Sequence, residues 1–334
     1  MSHSNTASAP IFIVGASRSG TTMFRLMLNA HPSIAIPDEL SYFSLLGTLP
    51  TPWNAPLGTD QYVDLVDRFL DQNEPVLTGV DRTALRRAIL MHPAHTIRTP
   101  YAVALDHWAA AQGKPIWGEK TPYNFFFVPE LHDMFPEARF IHLVRDPRAA
   151  VHSMNGFKRC VPNTVINATN WRAFMQQGAT VLEATVPAHQ RITIRFEDLT
   201  SNPDFVLQHL CAFLDVPFHS SMLSFHENSH QYMHPVFETL GGAQTVTRPV
   251  NTATKARWTE EMAPADIATV EHICGPWLPI FSYERQTAPL SWTERLRRLP
   301  DMAYCVLKRW QHRRARVHLM HYNVPWARQQ APEA

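Results

Sequence analysis

"PIFIVGASRSGTTMFRLMLNAHP", residues 10–32, decides the fold. The apolar run from Pro10 to Gly15 predicts a short strand of the buried, parallel kind. Beyond it, Met23, Leu26, Met27 and Ala30 fall at i, i+3, i+4 and i+7, which predicts a helix with one apolar face, stopped at His31-Pro32. Strand, glycine loop and helix in that order form the setting of a phosphate-cradling loop. Gly15 and Gly20 have the spacing of G-x-x-x-x-G-K-[ST], but Thr21 stands where the lysine belongs and Arg18 brings the charge in earlier. Backbone N–H groups at the positive end of a helix hold an oxyanion. With a forked guanidinium in place of a lysine reaching for β- and γ-phosphates, a shorter anion fits better than a triphosphate. Ser19, Thr21 and Thr22 add hydroxyl donors.

Two further strands follow. "RFIHLV" (139–144) comes after a helical segment in which Phe125, Val128, Leu131 and Phe135 share a face. It leads into "RDPRAAVHSM", where Pro147 suits the first turn of a helix. "RITIRF" (191–196) leads into "EDLTSNPDFVLQHLCAFL", with Ser201 or Asn202 as the cap before Pro203. Strands alternating with helices predict an α/β, P-loop-like three-layer fold, a mostly parallel sheet flanked by helices on both faces. Arg145 leaves the second of these strands and Ser153 follows two helical turns later, so both can face one phosphate at the carboxyl edge of the sheet. Two anion sites on neighbouring strands point to a nucleotide with anionic groups on both its 5′ and 3′ positions.

Composition narrows the class. The chain has 334 residues, 45% hydrophobic and 18% charged, enough for a full globular core, and a net charge of +1 that gives no reason to expect nucleic acid as partner. Cys160, Cys211, Cys274 and Cys305 lie far apart and read as reduced thiols of a cytoplasmic protein. Residues 1–9 read as a disordered lead-in without the pattern of a secretory signal. No apolar stretch approaches the ~20 residues of a membrane span. The tail, 287–334, is basic: between 291 and 321 eight Lys/Arg face two acids. Starting from Pro300, Met302, Cys305, Val306, Trp310, Val317 and Met320 have roughly helical spacing, with Lys308, Arg309, Arg313, Arg314 and Arg316 around them. A basic amphipathic helix of this kind fits an anionic membrane surface, a dimer contact, or a place on its own domain with a solvated cationic face.

The two anion-binding segments, "PIFIVGASRSGTTMFRLMLNAHP" and "ARFIHLVRDPRAAVHSM", resemble those of the PAPS-dependent sulfotransferases, which transfer a sulfuryl group from 3′-phosphoadenosine 5′-phosphosulfate (PAPS) and release PAP. The resemblance continues through "WGEKTPYNF" (117–125), "IRFEDLTSNP" (194–203) and "TRPVNTATKARW" (247–258), and so covers residues 10–286 as one domain. It is nearest the branch of tyrosylprotein sulfotransferases and their bacterial relatives. The resemblance implies that Arg18, Ser19, Gly20, Thr21 and Thr22 hold the 5′-phosphosulfate, and Arg145 with Ser153 the 3′-phosphate. It gives Lys120 to the leaving oxygen and Glu39, in "AIPDELSYF", the part of general base. Cytosolic relatives use a histidine two residues after this lysine, where Pro122 stands here. Phe196 occupies a position commonly held by tyrosine and is expected near the adenine; Lys255 and Arg257 form a lid-borne clamp on the phosphates. No metal is implied. The acceptor is a hydroxyl of a carbohydrate, a lipid, a small metabolite or a protein tyrosine, to be met by 40–115 and 155–185. "ETLGGAQTV" (238–246) is glycine-rich where tyrosylprotein sulfotransferases carry a serine, which weakens the case for a protein tyrosine.

A rival pattern is "HENSH": His226-Glu227-x-x-His230, with His234 beyond, has the H-E-x-x-H form of a zinc hydrolase. The proline and serines of "DVPFHSSMLSF" before it argue against the helix that zinc ligation requires. A third alternative is a non-catalytic nucleotide-binding protein of the same fold; Glu39, Lys120 and Arg18 together argue for turnover.

Overall fold

Side chains alternate along a strand, so an entirely buried strand needs a core on each of its faces. The computed structural model, which describes residues 9–40, 42–46, 54–158, 160–229, 246–250 and 256–311, shows two such cores. β1 (Ile11–Val14) is the middle of a five-stranded sheet with β2 (Ile34–Ala35), β3 (Ile116–Glu119), β4 (Arg139–Val144) and β5 (Arg191–Arg195) in the order β2-β3-β1-β4-β5. Every pairing is parallel, from Ile34↔Ile116 at one edge to Val144↔Arg195 at the other. Ile11 and Ile13 join Ile141, Leu143 and Ile194 in one core, closed by Met23, Phe24 and Met27 of the helix Thr21–Asn29 and by Leu207 and Leu210 of the helix Pro203–Leu214. Phe12 and Val14 join Phe140 and Val144 in the other, under Tyr101 and Leu105 of Arg98–Ala111 and Ala150 and Val151 of Pro147–Asn155. Phe12 stacks on Phe140 with centroids 5.4 Å apart and meets Trp117 edge-on at 6.0 Å. This is the expected three-layer α/β arrangement, with a sheet that is parallel throughout.

A parallel sheet brings the carboxyl ends of all its strands to one edge. From that edge the chain leaves β1 into the loop 15–20, β2 toward Asp38 and Glu39, β3 into Lys120, β4 into Arg145 and β5 into Phe196.

Several local features differ from expectation. β2 and β3 carry no long apolar run, the first having two residues and the second reading Ile-Trp-Gly-Glu. The segment 40–115 holds the helices Tyr42–Leu45, Thr59–Asn73, Arg82–Leu90 and Arg98–Ala111, the third capped by Asp81 Oδ1, which accepts from Thr83 N at 2.8 Å and Ala84 N at 3.1 Å. Asn202 does stand at the start of Pro203–Leu214, but without a side-chain cap; Ser201 ends a separate helix, Phe196–Ser201, and donates to the Glu197 carbonyl at 2.7 Å.

The tail helix spans Trp292–Gln311, so Pro300 lies inside it rather than at its start. A reciprocal cap sets the start: Glu294 N donates to Ser291 Oγ at 3.3 Å and Ser291 N to Glu294 Oε2 at 3.0 Å. That S-x-x-E box outranks the proline as a start signal. Cys305 is buried against Ile166, whereas Val306 and Trp310 are exposed, so the apolar residues expected on one face divide between two. Val317, Met320 and the basic residues 313–316 lie outside the described residues, as do 1–8 of the lead-in. All four cysteines are free thiols. Among the described residues no helix is long and apolar enough to cross a membrane.

Candidate active site

The glycines of the loop are required by close approach. A Cβ on Gly15 would overlap the Leu143 carbonyl of β4, and one on Gly20, where φ is 90°, would overlap the Phe196 ring. Gly20 caps the helix Thr21–Asn29 without any side-chain cap bond, so the N–H groups of its first turn remain available at the positive end of the helix. Ser19 N closes the turn on the Ala16 carbonyl at 3.2 Å. The buried Ser19 Oγ has no hydrogen-bond partner among the described residues, and a desolvated hydroxyl of that kind suits an incoming anion. Arg18 has a φ of 66°, left-handed for a side-chain-bearing residue, a conformation that costs about 1–3 kcal/mol and collects at functional turns.

The strain places the Arg18 guanidinium. Its Nε donates to Ser153 Oγ at 3.2 Å, and the group stacks 4.2 Å over the Phe157 ring. Arg145 Nη1 donates to the Arg18 carbonyl at 3.1 Å, with its guanidinium 4.5 Å over the Phe196 ring. Arg18, expected on one phosphate, thus bridges to Ser153 and Arg145, expected on the other; the residues expected at two anion sites form one cationic cluster. Burial lowers the pKa of both guanidinium groups, Arg145 to about 10, with Arg18 adding like charge against the raising effect of Glu197. Both stay cationic at neutral pH. Desolvated like charges side by side favour an anion between them.

The turn carrying Arg145 is locked from behind. Asp146 Oδ1 accepts from Arg148 N at 2.8 Å, capping Pro147–Asn155 with Pro147 in its first turn, while Asp146 N donates to Glu197 Oε1 at 3.0 Å. Tyr283 Oη donates to the other Glu197 oxygen at 2.7 Å. The buried Arg148 joins Asp146 to Glu271. Glu197, Glu271 and Tyr283 went unread in the sequence because their partners are far off in the chain.

Lys120 and Glu39 meet directly, although 81 residues separate them: Lys120 Nζ donates to Glu39 Oε1, with Asp38 Oδ1 3.8 Å away. Their burial is unequal, 1% side-chain exposure for Lys120 against 42% for Glu39. The strap carrying Glu39 is held by the anion-loop helix. Asn29 Nδ2 donates to the Ile36 carbonyl at 3.0 Å, Ile36 N donates back to Asn29 Oδ1 at 2.9 Å, and Arg25 Nη1 reaches the same carbonyl at 3.2 Å. Cys160 and Glu39 oppose the burial-driven lowering of the Arg18 pKa, which puts Glu39, Lys120 and Arg18 in one electrostatic neighbourhood.

Beneath this pair lies Glu119, a buried carboxyl that the sequence reading passed over inside "WGEKTP". Its Oε1 accepts from Thr121 Oγ1 at 2.5 Å and, at 3.5 Å, from Leu40 N; its Oε2 accepts from Asn124 Nδ2. It therefore ties the residue after Lys120 to the residue after Glu39. Burial raises its pKa to about 7 against the opposing pull of Thr121 and Lys120.

The remaining expected residues are placed unevenly. Thr21 is buried and Thr22 half-buried in the first helical turn. Phe196, 5% exposed, fills the space that Gly20 leaves and supports Arg145, so its ring has a packing partner in the loop and the cluster. Arg257 Nε donates to Glu261 Oε1 at 3.0 Å, and Glu261 Oε2 pairs with His152 at 2.8 Å, next to Ser153. Lys255, His230, His234 and most of the glycine-rich stretch 238–246 lie outside the described residues. His226 and Glu227 sit on a three-residue 3-10 turn, Phe225–Glu227, instead of the helix that would align two zinc ligands.

Comparison with known proteins places the chain in a family. A profile of the sulfotransferase family matches residues 10–220. Protein-tyrosine sulfotransferase of Drosophila melanogaster is 25% identical over 289 residues, 84% of this chain and 52% of the fly protein, so the chain spans about half the fly protein's length. Protein-tyrosine sulfotransferase 1 of Danio rerio is 25% identical over 84% of this chain and 73% of its own length. The fold is shared with the sulfotransferase domain of the Synechococcus PCC 7002 olefin synthase, at a TM-score of 0.58 and 21% identity over 84% of this chain and 97% of that one. The sulfotransferase domain from the curacin biosynthetic pathway gives 0.55 and 21% over 83% and 99%. With the family's profile spanning the phosphate loop, the Glu39 strap, Lys120 and the Arg145–Ser153 turn, the chain belongs to the sulfotransferase family.

Proposed function

We propose that the chain transfers a sulfuryl group from PAPS to an acceptor hydroxyl and releases PAP. Family membership makes PAPS the expected donor. The orphaned Ser19 hydroxyl, the open helix terminus and the desolvated Arg18–Arg145 cluster suit its two anionic ends. The observation that carries the reading is the Lys120–Glu39 pair at the carboxyl edge of the sheet, beside the anion loop. Glu39, exposed enough to meet an acceptor, takes the hydroxyl proton as the hydroxyl attacks sulfur. Lys120, Arg18 and the loop N–H groups stabilise the charge that grows on the departing and sulfuryl oxygens. Phe196 supports the nucleotide side, and Arg257, with Lys255, closes over the phosphates. No residue here is assigned to a metal.

The acceptor classes remain a carbohydrate, a lipid, a small metabolite or a protein tyrosine. The relatives named for protein tyrosine support a phenol; the glycine-rich 238–246, without the serine of that branch, favours a non-protein hydroxyl. Thermal-shift titration tests the donor: PAP is expected to stabilise the protein strongly and ATP far less, and equal stabilisation by ATP overturns the assignment. Incubation with labelled PAPS and a fractionated extract, with mass spectrometry of the labelled product, identifies the acceptor.

A further inference from the structure

The helix Trp292–Gln311 touches the domain along one side and turns its main apolar stripe to solvent. Cys305 packs on Ile166, and Arg298 Nη2 donates to the Ala265 carbonyl at 3.0 Å. Thr287, in the lead-in, is hydrogen-bonded to Glu271 at 2.5 Å. Trp292, Leu296, Leu299, Ala303 and Val306 recur at steps of four and three residues and so line up on another side of the helix. Trp292 is 78% exposed, Leu296 60% and Val306 69%, with Leu307 at 51% beside them. An apolar cavity of about 230 Å³, lined in part by Trp292, Leu299, Met302, Ile273 and Leu290, continues this surface beneath the first turns. A contiguous apolar face of this kind on a soluble domain marks an interaction surface.

Charge indicates the partner. The helix carries Arg295, Arg297, Arg298, Lys308 and Arg309 against Glu294 and Asp301. At 100° per residue Arg295 borders one flank of the stripe, while Arg297 and Lys308, about 140° and 160° round from Trp292, share the far face with the two acids; five cations against two acids leave the helix a net +3. The step of four and three also suits a helix pair with a second copy. That pairing would bring together two helices of the same net positive charge, whereas anionic headgroups neutralise it. Trp292 at the end of the stripe and the long Arg295 side chain at its border match the boundary between headgroups and acyl chains. We propose that Trp292–Gln311 docks this protein on an anionic lipid surface, with Leu296, Leu299, Val306 and Leu307 in the acyl boundary and Arg295 beside the phosphates.

Co-sedimentation of the full chain with phosphatidylcholine vesicles, and with vesicles that also contain phosphatidylglycerol, tests this. The protein is expected to bind the mixed vesicles, to bind less as salt rises, and to leave pure phosphatidylcholine largely unbound. The double variant Leu296→Glu, Val306→Glu changes two exposed side chains outside the cavity lining, so its thermal midpoint should stay near that of the parent. Its binding should fall roughly tenfold or more, because two charges replace the inserted apolar groups. Absence of vesicle binding, equal binding to both compositions, or binding that the double variant retains overturns the proposal. Sedimentation equilibrium adds an arm: a dimer that the double variant abolishes, without vesicle binding, assigns the stripe to a second copy.

Discussion

Replacing Glu39 by glutamine or Lys120 by methionine breaks the same ion pair from opposite ends, and the structure predicts unequal costs in stability. Lys120 has 1% of its side chain exposed and Glu39 42%. Glu39→Gln leaves a buried ammonium whose remaining anion, Asp38, stands 3.8 Å away. Stranding a buried charge costs about 3–5 kcal/mol when nothing compensates. Asp38 and the glutamine oxygen offset part of this, so a loss of about 1–3 kcal/mol is expected. Lys120→Met replaces the ammonium with an apolar chain of similar length, and the freed Glu39 is solvated where it stands; that change should lie within about 1 kcal/mol of the parent. Glu39→Gln should leave PAP affinity close to the parent value and lower turnover by roughly 10²–10⁴, the usual worth of a general base, while Lys120→Met, which removes the cation from the departing oxygen, should weaken PAP and lower turnover as well. Urea denaturation gives the stabilities, calorimetric PAP titration the affinities, and PAPS-dependent sulfation of a panel of phenols and alcohols the turnover. If Lys120→Met proves the more destabilising of the two, the burial argument fails. If Glu39→Gln keeps full turnover, the base is another residue.

Arg145→Ala and Ser153→Ala should weaken PAP roughly 10- to 100-fold, the range of one charge-assisted hydrogen bond, while adenosine 5′-phosphosulfate, lacking the 3′-phosphate, loses much less in the same titration. Gly20→Ala forces a Cβ into the Phe196 ring at a φ of 90° and should cost about 1–3 kcal/mol in denaturant unfolding, with PAP binding weakened as well; unchanged values refute the packing of loop on ring. Glu119, with a folded pKa of about 7 against an ordinary 4.5, binds its proton more tightly folded than unfolded. Its stabilising contribution is therefore complete below about pH 4.5 and lost as pH rises through 7, by about 3 kcal/mol in all. Glu119→Gln should flatten that part of the stability profile, and a parent profile rising from pH 4.5 to 7 relative to the variant contradicts the burial account.

What the sequence made legible was the part with local causes. β1, its loop and the following helix are one continuous pattern of apolar run, glycines and i, i+3, i+4 spacing, and β4 with its Pro147 helix is another. The edge strand β2 and its neighbour β3 escaped because they owe their place to pairing: two residues of β2 are strand only because Ile34 and Ala35 pair with Ile116 and Trp117. Arg18, Arg145 and Ser153 could be read individually, but their convergence depends on β1 and β4 lying side by side. Glu119 was masked by its own chemistry, a carboxylate on a strand that burial and three donors reconcile with the interior. The tail helix starts well before Pro300, because the Ser291–Glu294 box is a stronger start signal than a proline.

The pairing of β2 with β3 has a consequence for where this chain can vary. Residues 36–115 leave the sheet from one strand and return on its immediate neighbour, with Ile34↔Ile116 and Ala35↔Trp117 clamping both ends of the excursion. Interstrand register, and not the content of that excursion, sets where Glu39 and Lys120 start. Doubling the length of a flexible connection costs only about 0.6 kcal/mol in closure entropy. The helices of the excursion are not free to vary, since Tyr101 and Leu105 cover Phe12 and Val14; change is therefore confined to the connections between those helices, where an insertion leaves Glu39 and Lys120 in register.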